Sequence, residues 1–265
     1  MNFKEIFNNF YHFLINLRVV KLSWIGVIIT WVGSIIVALL IGQLDPAGPS
    51  FDPAGFNPLI NYISDLGNQD LTPMPIIINW GMMNSALLLI PPAFYMRKIL
   101  KGNNSSSKLR TLLANLTLIF MLIASAGLFF TGIISEDVGD VWDLLFPIGY
   151  PWHDLVADFA FIFFMASGIL VSSQFIIFPD ILEKKIGIDD SKIVRILFVI
   201  NTWILTPIFF GFFYTVPYLW YTDNFWTFLL PWQWAPLWEW LLMASLSAWL
   251  VSAGYLIIKQ INQEI

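Results

Sequence analysis

The chain has 265 residues, is 58% hydrophobic and only 12% charged, and carries a formal net charge of −5. Soluble domains use about 25% charged residues to cover their surface, so half that share excludes an ordinary water-soluble fold. The net charge says little by itself, membrane lipids rather than nucleic acid are the expected partners, and the absence of cysteine excludes disulfides and thiolate chemistry.

The opening stretch MNFKEIFNNFYHFLINL sets Phe3, Ile6, Phe7, Phe10, Leu14 and Leu17 three to four residues apart. That spacing makes one apolar helix face, which would lie on the cytoplasmic membrane surface over residues 1–18. His12 falls on the polar side and reads as solvated. The stretch does not read as a cleavable signal, because the apolar run after it is too long and lacks a small-x-small site. That run, LSWIGVIITWVGSIIVALLIG (22–42), has 21 residues without a charge. About 20 apolar helical residues cross a hydrocarbon layer of ~30 Å.

Hydropathy places six spans at about 20–42, 76–96, 111–133, 154–178, 193–216 and 236–258. The expected fold is all-α: a polytopic six-transmembrane-helix bundle, one membrane domain over 19–265, preceded by the interfacial amphipathic helix. Pro91-Pro92 and Pro207 fall inside spans and are expected to kink them, since proline lacks the N–H that continues a helix. No internal repeat supports an inverted-repeat transporter.

All 13 Lys and Arg fall in four groups, at 4–21, 97–110, 184–195 and 259. Six spans would bring these groups to one side, and cytoplasmic loops are enriched in Lys and Arg. The reading is N-in and C-in, in the cell membrane. Outer loops 43–75, 134–153 and 217–235, with adjoining helix ends, then hold 12 of 18 acidic residues and nine of 13 Trp. WYTDNFWTFLLPWQWAPLWEW (220–240) reads as an interfacial segment turning at Pro236 into the last span, because Trp favours the headgroup level.

SEDVGDVWDLLFPIGYPWHDLVAD (135–158) concentrates Glu136, Asp137, Asp140, Asp143, Asp154 and Asp158 around His153, with no Lys or Arg. On a helix starting near Pro151, Asp154 and Asp158 share a face. Asp158 lies deeper and must find a cation, water, hydroxyl, amide or His153 as partner. An all-oxygen set from Asp137, Asp154 and Asp158 would suit Ca²⁺ or Mg²⁺. A single His argues against zinc and against multi-histidine membrane hydrolases of the alkaline ceramidase type. The plainer reading is an acidic outer loop, with Asp154 favoured at a helix N-terminus by the macrodipole.

NPLINYISDLGNQDLTPMP (57–75) supplies Ser64 and Asp65, able to bond nearby backbone, and Gly67, able to take positive φ. It reads as a defined plug, or as the turn that opens the second span. Of the polar groups in the spans (Asn79, Asn84, Asn115, Gln174 and Asn201), most should bridge helices. Asn79 and Asn84 would line a cavity under the acidic loop. Glu239 and Trp240 open the sixth span. Asp65, Asp154, Asp158 and Glu239 are expected to meet in one polar vestibule.

Ile63-Ser64-Asp65 with Gly67, Gly132 with Glu136 and Asp137, His153, and the pair Glu239-Trp240 resemble the motifs of six-span proteins of the DRAM/Frag/Sfk type and the related "domain of unknown function 998" family. Ile134-Ser135 stands where that group carries Phe-Pro. The resemblance implies a multi-pass membrane protein, associated in some branches with lipid distribution or remodelling, and implies no enzymatic activity.

Three functions follow as expectations. The first is a non-enzymatic membrane protein whose outer acidic and aromatic vestibule engages lipid headgroups or a cation. The second is a lipid-modifying enzyme with His153 as general base, oriented by Asp154 or Asp158. The third is a small transporter with Asp158 as its coupling-ion site.

Overall fold

The computed structural model describes residues 2–44, 56, 61–69, 72–102, 107–186, 188–221 and 235–264. The described residues are helical throughout apart from turns and short connectors. Six helical stretches are long and apolar enough to cross a membrane: Leu17–Gly42, Ile76–Lys101, Lys108–Ile133, Trp152–Ile177, Ser191–Thr215 and Pro236–Lys259. At 1.5 Å per residue their 24 to 26 residues exceed the ~30 Å hydrocarbon layer. The all-α, multi-pass expectation holds.

Helix α1 (Phe3–Leu14) is capped by Asn2, whose Oδ1 accepts from the Lys4 N–H. Ile6, Phe7, Phe10 and Phe13 form its exposed face, while Leu14, expected on that face, is buried. Asn16 then starts α2 (Leu17–Leu44) by accepting from the Arg18 N–H at 3.0 Å.

The double proline does not simply kink the second span. It divides that span into α3 (Ile76–Leu88) and α4 (Ile90–Lys101), joined through Leu89. Pro91 and Pro92 have no N–H to return to the preceding turn, so the ladder must break there. Leu89 and Ala93 keep their own bonds to Ser85 and Leu89 across the junction.

Helix α5 (Lys108–Ile133) is capped by Ser107. Beyond it lie α6 (Glu136–Leu145), α7 (Trp152–Ile177), α8 (Asp180–Ile186) and α9 (Ile188–Val199). Before Pro207 the helix widens into a π turn (Ile200–Leu205) and resumes as α10 (Thr206–Tyr221), so the irregularity expected at Pro207 appears as an inserted turn. Helix α11 (Ala235–Glu264) begins one residue before Pro236, as expected. Residues 222–234, the Trp-rich heart of the supposed interfacial segment, lie outside the described residues.

Helix α5 packs most extensively on α7, and α3 bridges α2 and α5. Gly127 makes the first contact possible: a Cβ there would lie 2.6 Å from the Ala160 backbone nitrogen. Polar side chains inside the bundle pair across helices. Thr30 meets Ser85 at 2.7 Å, Trp31 Nε1 donates to Ser247 at 2.9 Å, and Gln174 Nε2 donates to Thr117 at 3.1 Å. Asn201 Nδ2 donates to the Ser245 carbonyl, and Arg97 Nε to Asn115 Oδ1. Ile29, Leu40, Ile119, Ile162, Ile204 and Phe212 face outward, a surface suited to lipid.

The alternating helices sort charge between the two ends of the bundle. One end gathers the starts of α2 and α5 and the end of α4; there Arg110 pairs with Asp180 at 3.0 Å and Arg195 with Glu183 at 3.3 Å. The other end gathers the starts of α3, α7 and α11 with the whole of α6.

Candidate functional site

At this second end the segment 61–69 folds over the bundle. Its 3₁₀ turn, Ser64–Gly67, is followed by Asn68 and leads toward α3. Four carboxylates from three elements hold it. Asp65 Oδ2 accepts from its own segment, from the Tyr62 N–H at 2.8 Å and from Asn61 Nδ2 at 3.4 Å. Glu239 Oε2, at the start of α11, accepts from the Ile63 N–H at 2.6 Å. From α6, Glu136 accepts from Asn68 Nδ2 at 3.1 Å and Asp137 from the Gln69 N–H at 2.9 Å. Trp240 Nε1 donates to the Asn61 carbonyl at 3.0 Å, and its ring meets Phe56 edge-on. The segment is therefore a strapped cap, in line with the plug reading.

Gly67 serves this cap differently from expectation. The described glycines with positive φ are Gly102 and Gly149; Gly67 is not among them. Its lack of a side chain admits Asn79 instead: a Cβ on Gly67 would lie 2.5 Å from Asn79 Oδ1. Asn79 Nδ2 donates to the Gly67 carbonyl at 3.2 Å, and Asn79 Oδ1 is buried with no partner among the described residues. Ser64 opens the turn without capping it.

Asp65 and Glu239 are 8% and 4% exposed. Burial, and next the nearby Glu136 carboxylate, push Asp65 up to about 7, against the weaker pull of the Tyr62 and Asn61 bonds. Glu239 feels the charges of Asp65, Glu136 and Asp154. Of the four carboxylates expected to meet, Asp65 and Glu239 both bond the 61–69 segment.

Asp158 stands apart. It is half-buried on α7, and its partner is a hydroxyl: Tyr150 donates to Oδ2 at 2.8 Å. Partial desolvation of its hydroxyl, and next that carboxylate, raise the Tyr150 phenol above its ordinary range although the side chain as a whole is exposed. Asp154, in the first turn of α7, is exposed, and Asp143 accepts from the Trp152 N–H at 3.0 Å.

His153 is 7% exposed, and its Nδ1 lies 2.6 Å from the Ile134 carbonyl. A carbonyl can only accept, so Nδ1 carries the proton. That bond spends on the α5 end the ring nitrogen a carboxylate would otherwise orient. No group of three or more His, Asp or Glu able to hold a metal forms among the described residues, so Asp137, Asp154 and Asp158 do not assemble one. Asn84 does not line a cavity: it is exposed on α3, its amide turned back to the Trp80 carbonyl.

Several partners escaped the sequence reading. Backbone N–H groups of Tyr62, Ile63 and Gln69 carry no residue-type signal. Tyr150 was legible in principle, because GYPWHD puts a phenol eight residues before Asp158, two turns away once α7 starts.

The profile of the family described as Protein of unknown function (DUF998) matches residues 24–255. The chain belongs to the DUF998 family. No curated protein and no solved structure matches it. The DUF998 match takes in every strap of the cap, from Asn61 to Trp240.

Proposed function

We propose that this DUF998 protein is a non-enzymatic membrane protein whose acidic, aromatic vestibule receives a cationic group, either a lipid-headgroup ammonium or a free cation. The observation that carries this reading is a set of acceptors, Asp65 and Glu239 buried among them, with no basic neighbour among the described residues. Asp65, Glu136 and Glu239 share one small region, Asn79 Oδ1 beneath them has no partner among the described residues, and the basic residues of the described spans sit at the opposite end. Buried carboxylates that lack a basic partner need a proton or a cation. Trp240 and Phe56, packed edge-on beside the cap, supply the aromatic part of the site. Asp65, poised near 7, makes proton and cation rivals for the same site.

The orientation follows the basic loops: N-in and C-in, α1 on the cytoplasmic surface, the vestibule outside. The lipid association implied by the DRAM/Frag/Sfk likeness agrees with the headgroup form of the proposal. Catalysis by His153 draws no support from a ring bonded to backbone, nor transport from an interior whose Ser and Thr groups pair with one another.

Two arms test the proposal and separate the sources. Native mass spectrometry compares retention of phosphatidylethanolamine with phosphatidylglycerol, which lacks the ammonium, and calorimetry titrates Ca²⁺, Mg²⁺ and Na⁺. One arm should show selective or saturable binding that weakens about tenfold or more in Asp65→Asn/Glu239→Gln, as loss of charge-assisted contacts predicts. No lipid selectivity together with no saturable cation heat would sink the proposal.

A further inference from the structure

Helix α6 lies outside the six spans and is amphipathic. Val138, Val141, Trp142 and Leu145 share one stripe and are exposed, while Glu136, Asp140 and Asp143 share the opposite stripe. A helix divided in this way suits a boundary between apolar and polar surroundings. The exposed apolar surface continues into the following loop through Phe146 and Ile148.

Four contacts with the start of α7 set the direction of α6. The Ile134 carbonyl meets His153 Nδ1, and a Cβ on Gly139 would lie 3.1 Å from His153 Cβ. Asp143 accepts from the Trp152 N–H, and the Phe146 carbonyl accepts from Trp152 Nε1 at 2.8 Å. The chain from Ile134 to Phe146 thus stays beside Trp152 and His153. A helix running along α7 would pass down it turn by turn, so α6 crosses its end instead. The fourth span begins at Trp152, which puts α6 at the level of the membrane surface. Trp142 and Trp152 pack edge-on there at 5.7 Å, the level that Trp favours. From the same level the Tyr150 phenol reaches down to Asp158, about 9 Å past Trp152.

We propose that α6 is an in-plane anchor, its apolar stripe seated in the lipid of the leaflet at the acidic end. Lipid surrounds a six-span bundle at this level, and the stripe continues the outward surface that Phe159 and Ile162 form on α7. From Thr111 to Glu183 the chain has no Lys or Arg, so apolar burial rather than attraction to anionic headgroups holds the helix in place. On its other side Glu136 and Asp137 bind the cap at Asn68 and Gln69. The cap is therefore tied to a helix that lipid positions, whichever group the vestibule receives.

Spin labels on single cysteines of this cysteine-free chain, reconstituted in phosphatidylcholine vesicles, test the seat. Oxygen concentrates in lipid and a nickel chelate in water, so the oxygen-to-chelate collision ratio reports immersion. It should be several-fold higher at Val141→Cys and Leu145→Cys than at Asp140→Cys, approaching that at Ile162→Cys in the fourth span. Phosphatidylglycerol or added salt should leave these ratios unchanged. A thermal midpoint matching the parent shows that each labelled protein is folded, and Phe146→Cys replaces a stripe position that fails this check. Ratios at the stripe no higher than at Asp140→Cys would put it in water and overturn the proposal. Loss of both collisions at the stripe would mean that protein covers it, and a seat formed only with phosphatidylglycerol would mean that charge holds it. Either result overturns the proposal as well.

Discussion

Asp65 takes its ordinary value of 3.8 in the unfolded chain and is held near 7 in the fold, first by burial and then by Glu136. The folded protein therefore keeps a proton that the unfolded chain has lost. Between about pH 4 and about pH 7 the native state binds more protons, so stability falls as pH rises and stays lower above that window. The thermal midpoint in detergent should rise when pH is lowered from about 7.5 to about 5, and Asp65→Asn should flatten that slope. An unchanged slope would show that Asp65 is not the group responsible. The sequence pointed to Asp65 through the Ser-Asp-x-Gly pattern but misassigned Gly67. A glycine needed for close approach and one needed for positive φ read alike in sequence, and only the position of Asn79 separates them.

At the scale of elements, spans and proline irregularities were legible because each has a local cause. Hydropathy marks the spans, and Pro91, Pro92 and Pro207 lack donors. How the elements touch was not legible. The α5–α7 contact depends on Gly127, whose small size means nothing until Ala160 stands opposite. Gly127→Ala should destabilise the bundle by about 1–3 kcal/mol, the usual cost of overpacking. Gly33→Ala, where an added Cβ meets nothing within 4 Å, should be neutral or slightly stabilising. Equal midpoints for the two variants would contradict the packing described here. The same limit applies to the cap. Glu239 was singled out at the opening of the sixth span, yet its bond to the Ile63 N–H joins residues 176 apart in sequence.

For the whole molecule, charge sorting is the feature sequence and structure share. Basic residues recur wherever the chain returns to one end, and the carboxylates that strap the cap lie at the other. The proposed binding of a cationic group and the proposed place of α1 on the cytoplasmic surface both depend on which end faces the cytoplasm. Single cysteines in this cysteine-free chain decide it, with an impermeant thiol reagent on intact cells. Tyr150→Cys, exposed beside α7 at the acidic end, should label at once, and Lys101→Cys, exposed at the basic end, only after permeabilisation. Labelling of Lys101→Cys on intact cells with Tyr150→Cys protected would contradict the proposed orientation and turn the proposed vestibule toward the cytoplasm.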